Sequence, residues 1–222
     1  QSGSDLRAVV TYTDDQGTTE TVMAQSTVLP VGSAAPTAID DTATATEAGG
    51  VANAAPGSDA TGSLVANDTD SNFVSWTITS VKTGMFEGQG TAATLAGTTF
   101  TIAGRFGTLT VEQDGTYTYV VNNNNAAVQA LNTGSAPLYD TFNYTVRDGD
   151  NLSDTAVLRV AIGGADDEAT LTGIVPVLAD VHEDVATALD LTTLVITEPD
   201  SATIALQLSV DLGTLRAAPM QG

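Results

Sequence analysis

The sequence predicts an all-β fold, a sandwich or barrel. Three observations carry this: side-chain alternation of period two, turn residues between the alternating runs, and few helix formers. The apolar residues are mostly Ala, Val and Leu, and the polar ones are rich in Thr, Gly, Asn and Asp, which suit strands and turns. With 222 residues, 42% of them apolar, the chain can bury a core in one large or two small domains.

From the N-terminus, Tyr12-Thr-Asp14-Asp15-Gln-Gly17 reads as a turn followed by a Thr/Val-rich strand, the closing hairpin of a preceding domain. Further on, 100–104 (FTIAG), 107–113 (GTLTVEQ) and 114–121 (DGTYTYVV) are three strands punctuated by Gly104, Gly107 and Asp114-Gly115. Tyr117 and Tyr119 fall on one face of the third. Only 126–131 (AAVQAL) has a helical pattern, and it is a turn or two long. In 141–147, Phe142, Tyr144 and Val146 share a buried face, and Thr141, Asn143, Thr145 and Arg147 take the other. Ala156, Leu158, Val160 and Ile162 form the buried face of the next strand, and Asp148 to Asn151 is the hairpin turn between them.

The chain also matches itself. Ser63-Leu-Val-Ala-Asn-Asp68-Thr-Asp70-Ser71 aligns with Thr193-Leu-Val-Ile-Thr-Glu198-Pro-Asp200-Ser201, residue 63 on residue 193, an offset of 130 residues. Asp40-Asp41 and Asp166-Asp167 precede their repeats at nearly the same offset, 40 to 166. Gly213-Thr-Leu215 echoes Gly107-Thr-Leu109. These matches divide the chain into 1–35, the end of one domain plus a linker; 36–165, a complete domain; and 166–222, the first part of another. A half-sandwich alone leaves strand edges exposed, so the third part is expected to be truncated, poorly ordered, or completed by strands from another copy.

Composition narrows function. The 27 acidic against 6 basic residues, net −21, oppose binding to nucleic acid or an anionic membrane and favour cations. An acidic surface also simply keeps an exported protein soluble. Cysteine is absent, which excludes disulfides, thiolate metal sites and thiol nucleophiles. No apolar run is long enough to span a membrane, and no charged-then-apolar leader opens a sequence that begins like the interior of a longer protein.

Between residues 36 and 165 the chain resembles the VCBS repeats and related cadherin-like modules of large bacterial surface adhesins exported by type I secretion. The resemblance rests on PTAIDDTATATEAGG, SLVANDTDS, DGTYTYVVN followed by AVQAL, and DTFNYTVRDG with its DTAVLRVAI strand. GGADDEAT stands where the family's Asn-Asp-Ala-Pro linker is expected. The resemblance implies an Ig-like sandwich array, secreted or on the cell surface, whose partners are neighbouring domains of the same long chain and, in a fibre, other copies.

Topology directs attention to calcium. If the first strand leaves Asp40-Asp41 and the second returns to Asp68 and Asp70, these acids meet at one pole, joined by Asp148 and Asp150 of the hairpin turn. Asp166, Asp167, Glu183, Glu198 and Asp200 gather in the same way at the next junction. Carboxylates converging without Lys or Arg repel one another unless a cation is bound, and oxygen ligands in number favour Ca2+. The resemblance implies the same, since cadherin-like modules hold calcium at their joints. The alternative is that Asp and Asn occupy these loops because they suit Asx turns.

Catalysis finds little support. His182 lies beside Glu183 and Asp184 but has no placed nucleophile, and paired acids such as Asp148 and Asp150 lack the aromatic cleft that glycoside hydrolysis wants. Trp76 shares a face with Val74 and Ile78, a core pattern more than a sugar platform. Lys82, the only lysine, limits any Lys–Asn isopeptide bond to one place, and Asn122 to Asn125 reads as a solvated loop. The leading expectation is therefore a non-enzymatic structural spacer with Ca2+ at its joints. A glycan- or protein-binding module and an accessory region of a secreted enzyme are the alternatives.

Overall fold

The structure is a computed structural model that describes residues 5–27, 33–72, 75–173, 192–201 and 203–207. Glu183 and His182, Val74 and the 213–215 echo lie outside the described residues. The strands are β1 (Asp5–Thr13), β2 (Thr19–Thr27), β3 (Asp41–Thr46), β4 (Ala60–Ser63), β5 (Trp76–Thr83), β6 (Thr94–Ala96), β7 (Thr99–Ala103), β8 (Gly107–Glu112), β9 (Thr116–Val121), β10 (Leu138–Asp148), β11 (Ser153–Gly163), β12 (Thr170–Thr172) and β13 (Val195–Thr197). One short helix, α1 (Ala126–Gln129), starts where the Asn125 side chain accepts the Ala127 N–H, a cap that the NNNN run supplies.

Two sheets face each other. One has the order β3-β11-β10-β5 and the other β4-β9-β8-β7-β6. β10 and β11 form the long hairpin the alternation predicts, Phe142 opposite Leu158 and Tyr144 opposite Ala156. Its turn is closed by Asn151 in the left-handed region (φ 66°). β3 runs parallel to β11, a long-range pairing, while β6 to β9 is a meander of local antiparallel pairs. The period-two faces supply the core: Phe142, Tyr144, Val146, Ala156, Leu158, Val160 and Ile162 from one sheet, and Phe100, Ile102, Leu109, Val111, Tyr117 and Tyr119 from the other. Tyr119 and Phe142 meet across the interface with ring centroids 6.1 Å apart. Trp76 packs against this core, as its pattern predicts.

Two buried polar groups lock the core. Asp140 accepts the backbone N–H groups of Arg105 (2.9 Å) and Phe106 (3.0 Å) and the Tyr119 hydroxyl (2.6 Å). A β-carbon at Gly104 would lie 2.2 Å from an Asp140 oxygen, so only glycine lets the chain pass. Asn143, expected on the solvent face, is only 2% exposed. The 84–90 loop folds over it: its amide donates to the carbonyls of Gly84 (3.2 Å) and Gln89 (2.9 Å), and its oxygen accepts Gly88 N–H (3.0 Å). A single polar residue on an outward face thus becomes interior because a distant loop needs its hydrogen bonds.

The flanking pieces are smaller. β1 and β2 form an antiparallel hairpin in which Val9, Val10, Tyr12, Val22 and Met23 are exposed, and β12 pairs with β13. Residues 195–197 are a strand, whereas their repeat equivalents 65–67 are in a turn, so the 130-residue repeat does not fix local structure.

Candidate functional site

The acids that the repeat singles out collect at the two ends of the sandwich. At the first pole the linker ahead of β3 meets the 64–72 turn, where Thr37 and Thr69 exchange N–H···O bonds of 2.8 and 3.1 Å. Ile39 N–H donates to Asp68 Oδ1 (2.8 Å), Ala38 N–H to Asp154 Oδ2 (2.9 Å) and Val157 N–H to Asp40 Oδ1 (2.9 Å). The Asn67 amide donates to the carbonyls of Ile39 and Asp40. Asp148 accepts the N–H groups of Asp150 (2.9 Å) and Leu152 (2.8 Å), the Asx turn of the hairpin. Asp150 accepts Ser33 Oγ (3.1 Å) and the Asn72 amide (2.8 Å), and Asn72 N–H donates to Asp70 Oδ1 (3.1 Å).

Each of Asp68, Asp70 and Asp148 thus has one oxygen fixed by backbone. Its second oxygen, Oδ2 in all three, is buried with no hydrogen-bond partner. A buried carboxylate oxygen left without a hydrogen-bond partner is costly. Asp68 is raised by burial first, with the Asp154 charge adding. Asp41 is pushed up to about 6, by burial and then by the charges of Asp68 and Asp40, against a lowering hydrogen bond from the Tyr144 hydroxyl (2.7 Å).

The second pole brings the other pair of matched segments together. Asp167 N–H donates to Asp200 Oδ2 (3.0 Å), and the Asn132 amide donates to the Asp200 carbonyl. Glu47 stands between them at the end of β3, fully buried. Its Oε1 accepts Ala165 N–H (3.2 Å), while Oε2 and both Asp167 carboxylate oxygens are buried without partners. Glu47 is pushed up to about 7, by burial first and by the charges of Asp167 and Asp200. Asp167 is raised by burial and by Asp200. Glu198 is raised by its hydrogen bond with Asp200, then by burial and the nearby acids. The 49–53 turn, with Ala52 (φ 53°) and Asn53 (φ 61°) both left-handed, is held here by Gly50 N–H on the Asp166 carbonyl (2.8 Å) and by the Asn53–Gln129 amide pair. Beside it lies a cleft of about 200 Å3 lined by Asn53, Gln129, Asp167 and Thr170.

The predicted residues therefore separate by role. Asp68, Asp70, Asp148 and Asp167 present free buried oxygens, and Asp40, Asp41, Asp150 and Asp200 are engaged beside them. Asp166 turns away: exposed, it accepts Thr133 N–H (2.9 Å) and Oγ1 (2.8 Å), which lower its pKa. The acids are neighbours more than a finished shell, and among the described residues no group of three His, Cys, Asp or Glu side chains is set to hold a metal ion as placed.

Glu47 and Asp154 belong to these sites, and sequence reasoning missed them. Alternation held the signal. Glu47 shares parity with Ala43 and Ala45, and Asp154 with Ala156 and Leu158, so each acid falls on an inward face.

Two comparisons bear on this architecture. No curated protein matches the chain. The family model described as bacterial cadherin-like domain matches residues 33–164, which spans both sheets and the first pole and ends just before the 165–167 segment of the second. The chain belongs to the bacterial cadherin-like domain family.

Proposed function

We propose that the chain is a spacer segment of a secreted bacterial surface adhesin or extracellular fibre, in which sandwich modules supply length and Ca2+ at the joints supplies stiffness. On this reading 1–35 closes a preceding module, 36–165 is a complete one, and 166–222 opens the next. Partners are the adjoining modules of the same long chain.

The observation that carries the reading is the set of buried carboxylate oxygens without partners at both ends of the sandwich. The groups named above as donors to these acids are backbone N–H, amide and hydroxyl, and none is a Lys or Arg. A hard divalent cation is the ligand that such oxygen-only surroundings suit, with backbone carbonyls and water completing six to eight ligands. Asp68, Asp70 and Asp148 would hold it at the first pole, and Glu47, Asp167, Glu198 and Asp200 at the second. The second set draws on both sides of the 163–167 linker, so an ion there ties two segments that one covalent strand otherwise joins. The bound ion supplies charge neutralisation and fixed geometry, and no reaction is involved. Trp76, partly buried, packs against the core, which favours the spacer reading over a glycan-binding one.

Small-angle scattering of the chain in calcium and in chelator tests the spacer role. Expected is a longer maximum dimension and loss of the flexible-chain signature when calcium is added. Identical curves in the two buffers would leave no stiffening to explain.

A further inference from the structure

β3 ends one sheet and β4 ends the other, so two free edges lie side by side. They begin joined: Thr46 and Ser58 exchange N–H···O bonds of 2.9 Å each, antiparallel, and Gly57 passes so close that a β-carbon there would lie 2.2 Å from the Thr46 carbonyl oxygen. Beyond that bridge the strands part, β3 continuing beside β11 and β4 beside β9. The opening between them is a cleft of about 370 Å3 lined by Thr42, Ala43, Thr44, Asp59, Thr61 and Tyr117.

Backbone direction follows from the bridge. Thr46 turns its N–H and C=O toward β4, and by the period of a strand Thr44 and Thr42 turn theirs the same way, into the opening. Free edges are normally protected by Lys, Pro or a bulge. Neither DTATAT nor ATGS carries a lysine or a proline, and both pair in unbroken register. Thr42, Thr44 and Thr61 are exposed, so hydroxyls line the rim. The charge is negative: Asp59 lines the cleft, and Asp41 lies close enough to Tyr117 on its floor to act on that hydroxyl.

We propose that this seam receives an extended, basic peptide segment of another protein, which adds to the β3 edge as an extra strand. Main-chain bonds to Thr42 and Thr44 supply the affinity, and Asp59 selects Lys or Arg. A second copy of this chain is a poor occupant, because each copy carries a formal charge of −21.

The test titrates the whole chain with a synthetic peptide of alternating Val and Thr flanked by lysines. Backbone amide shifts and hydrogen exchange are followed alongside sedimentation. Expected are slowed exchange at the Thr42 and Thr44 amides and affinity that falls with salt. Binding should weaken about tenfold or more for a Glu-flanked peptide and vanish for one N-methylated at alternate residues. Thr44→Pro, which removes an edge N–H facing the opening, should abolish binding. Asp59→Lys keeps the edge intact and should weaken binding by about tenfold. The proposal is overturned if these amides are unmoved at millimolar peptide. It is equally overturned if all three peptides bind alike, or if the slowed exchange tracks self-association without peptide.

Discussion

Replacing Asp140 with alanine is expected to remove about 4 kcal/mol of stability. The carboxylate is 5% exposed and satisfies three donors at once, the N–H groups of Arg105 and Phe106 and the Tyr119 hydroxyl. Alanine leaves all three without an acceptor in the interior, and a hole beside Gly104. Total stabilities of about 5–15 kcal/mol make such a loss close to unfolding. Two further variants divide the effect. Tyr119→Phe withdraws one donor and keeps the acceptor, so about 1 kcal/mol is expected. Asp140→Asn keeps one acceptor oxygen but turns an amide toward remaining donors, so it falls between the two. Urea unfolding measures each. An unchanged midpoint for the alanine variant would mean that the network carries no net stability.

In calcium-free buffer the chain is expected to lose stability as pH rises from about 5 to about 8. Glu47, pushed up to about 7, and Asp41, pushed up to about 6, hold their protons more tightly folded than unfolded. Their contribution is complete below the ordinary carboxylate range near pH 4 and disappears as pH passes through 6 and 7. Glu47, fully buried, accounts for on the order of 2 kcal/mol. Asp68 and Asp167 act in the same direction. Calcium binds the ionised forms, so at saturating calcium the slope should reverse and stability should hold or rise over the same window. Thermal melts across pH, with calcium and with chelator, measure this. Parallel curves in the two buffers would contradict it.

Much of the fold was legible because the strands that matter most are half-buried and adjacent in sequence. Phe142, Tyr144 and Val146 alternate with polar residues and meet Leu158 and Ala156 through a four-residue turn, so periodicity and turn chemistry agree. The β7 to β9 meander was legible for the same reason. Alternation reports only parity, and could not show that β3 crosses to pair in parallel with β11. It could not show Asn143 buried either, since the covering loop comes from residues 84–90. Among the acids, the matched Asp40-Asp41 and Asp166-Asp167 pairs pointed to the two ends of the module. Nothing in the repeat distinguishes Asp167, buried and unpartnered, from Asp166, exposed and bonded to Thr133. Glu47 was hidden differently, as a charged residue closing a run of small ones, where its inward parity mattered more than its type.

Whether the buried acids hold an ion is decided by calorimetric titration of calcium into the calcium-stripped chain at neutral pH, run also on Glu47→Gln and Asp68→Asn. Expected are binding heat in the parent chain, loss of one component in Glu47→Gln and of a different one in Asp68→Asn, and a higher melting temperature with calcium. At calcium about a hundredfold above Kd, the gain should be about 2.7 kcal/mol per site. No heat at millimolar calcium, together with an unchanged melting temperature, would contradict it.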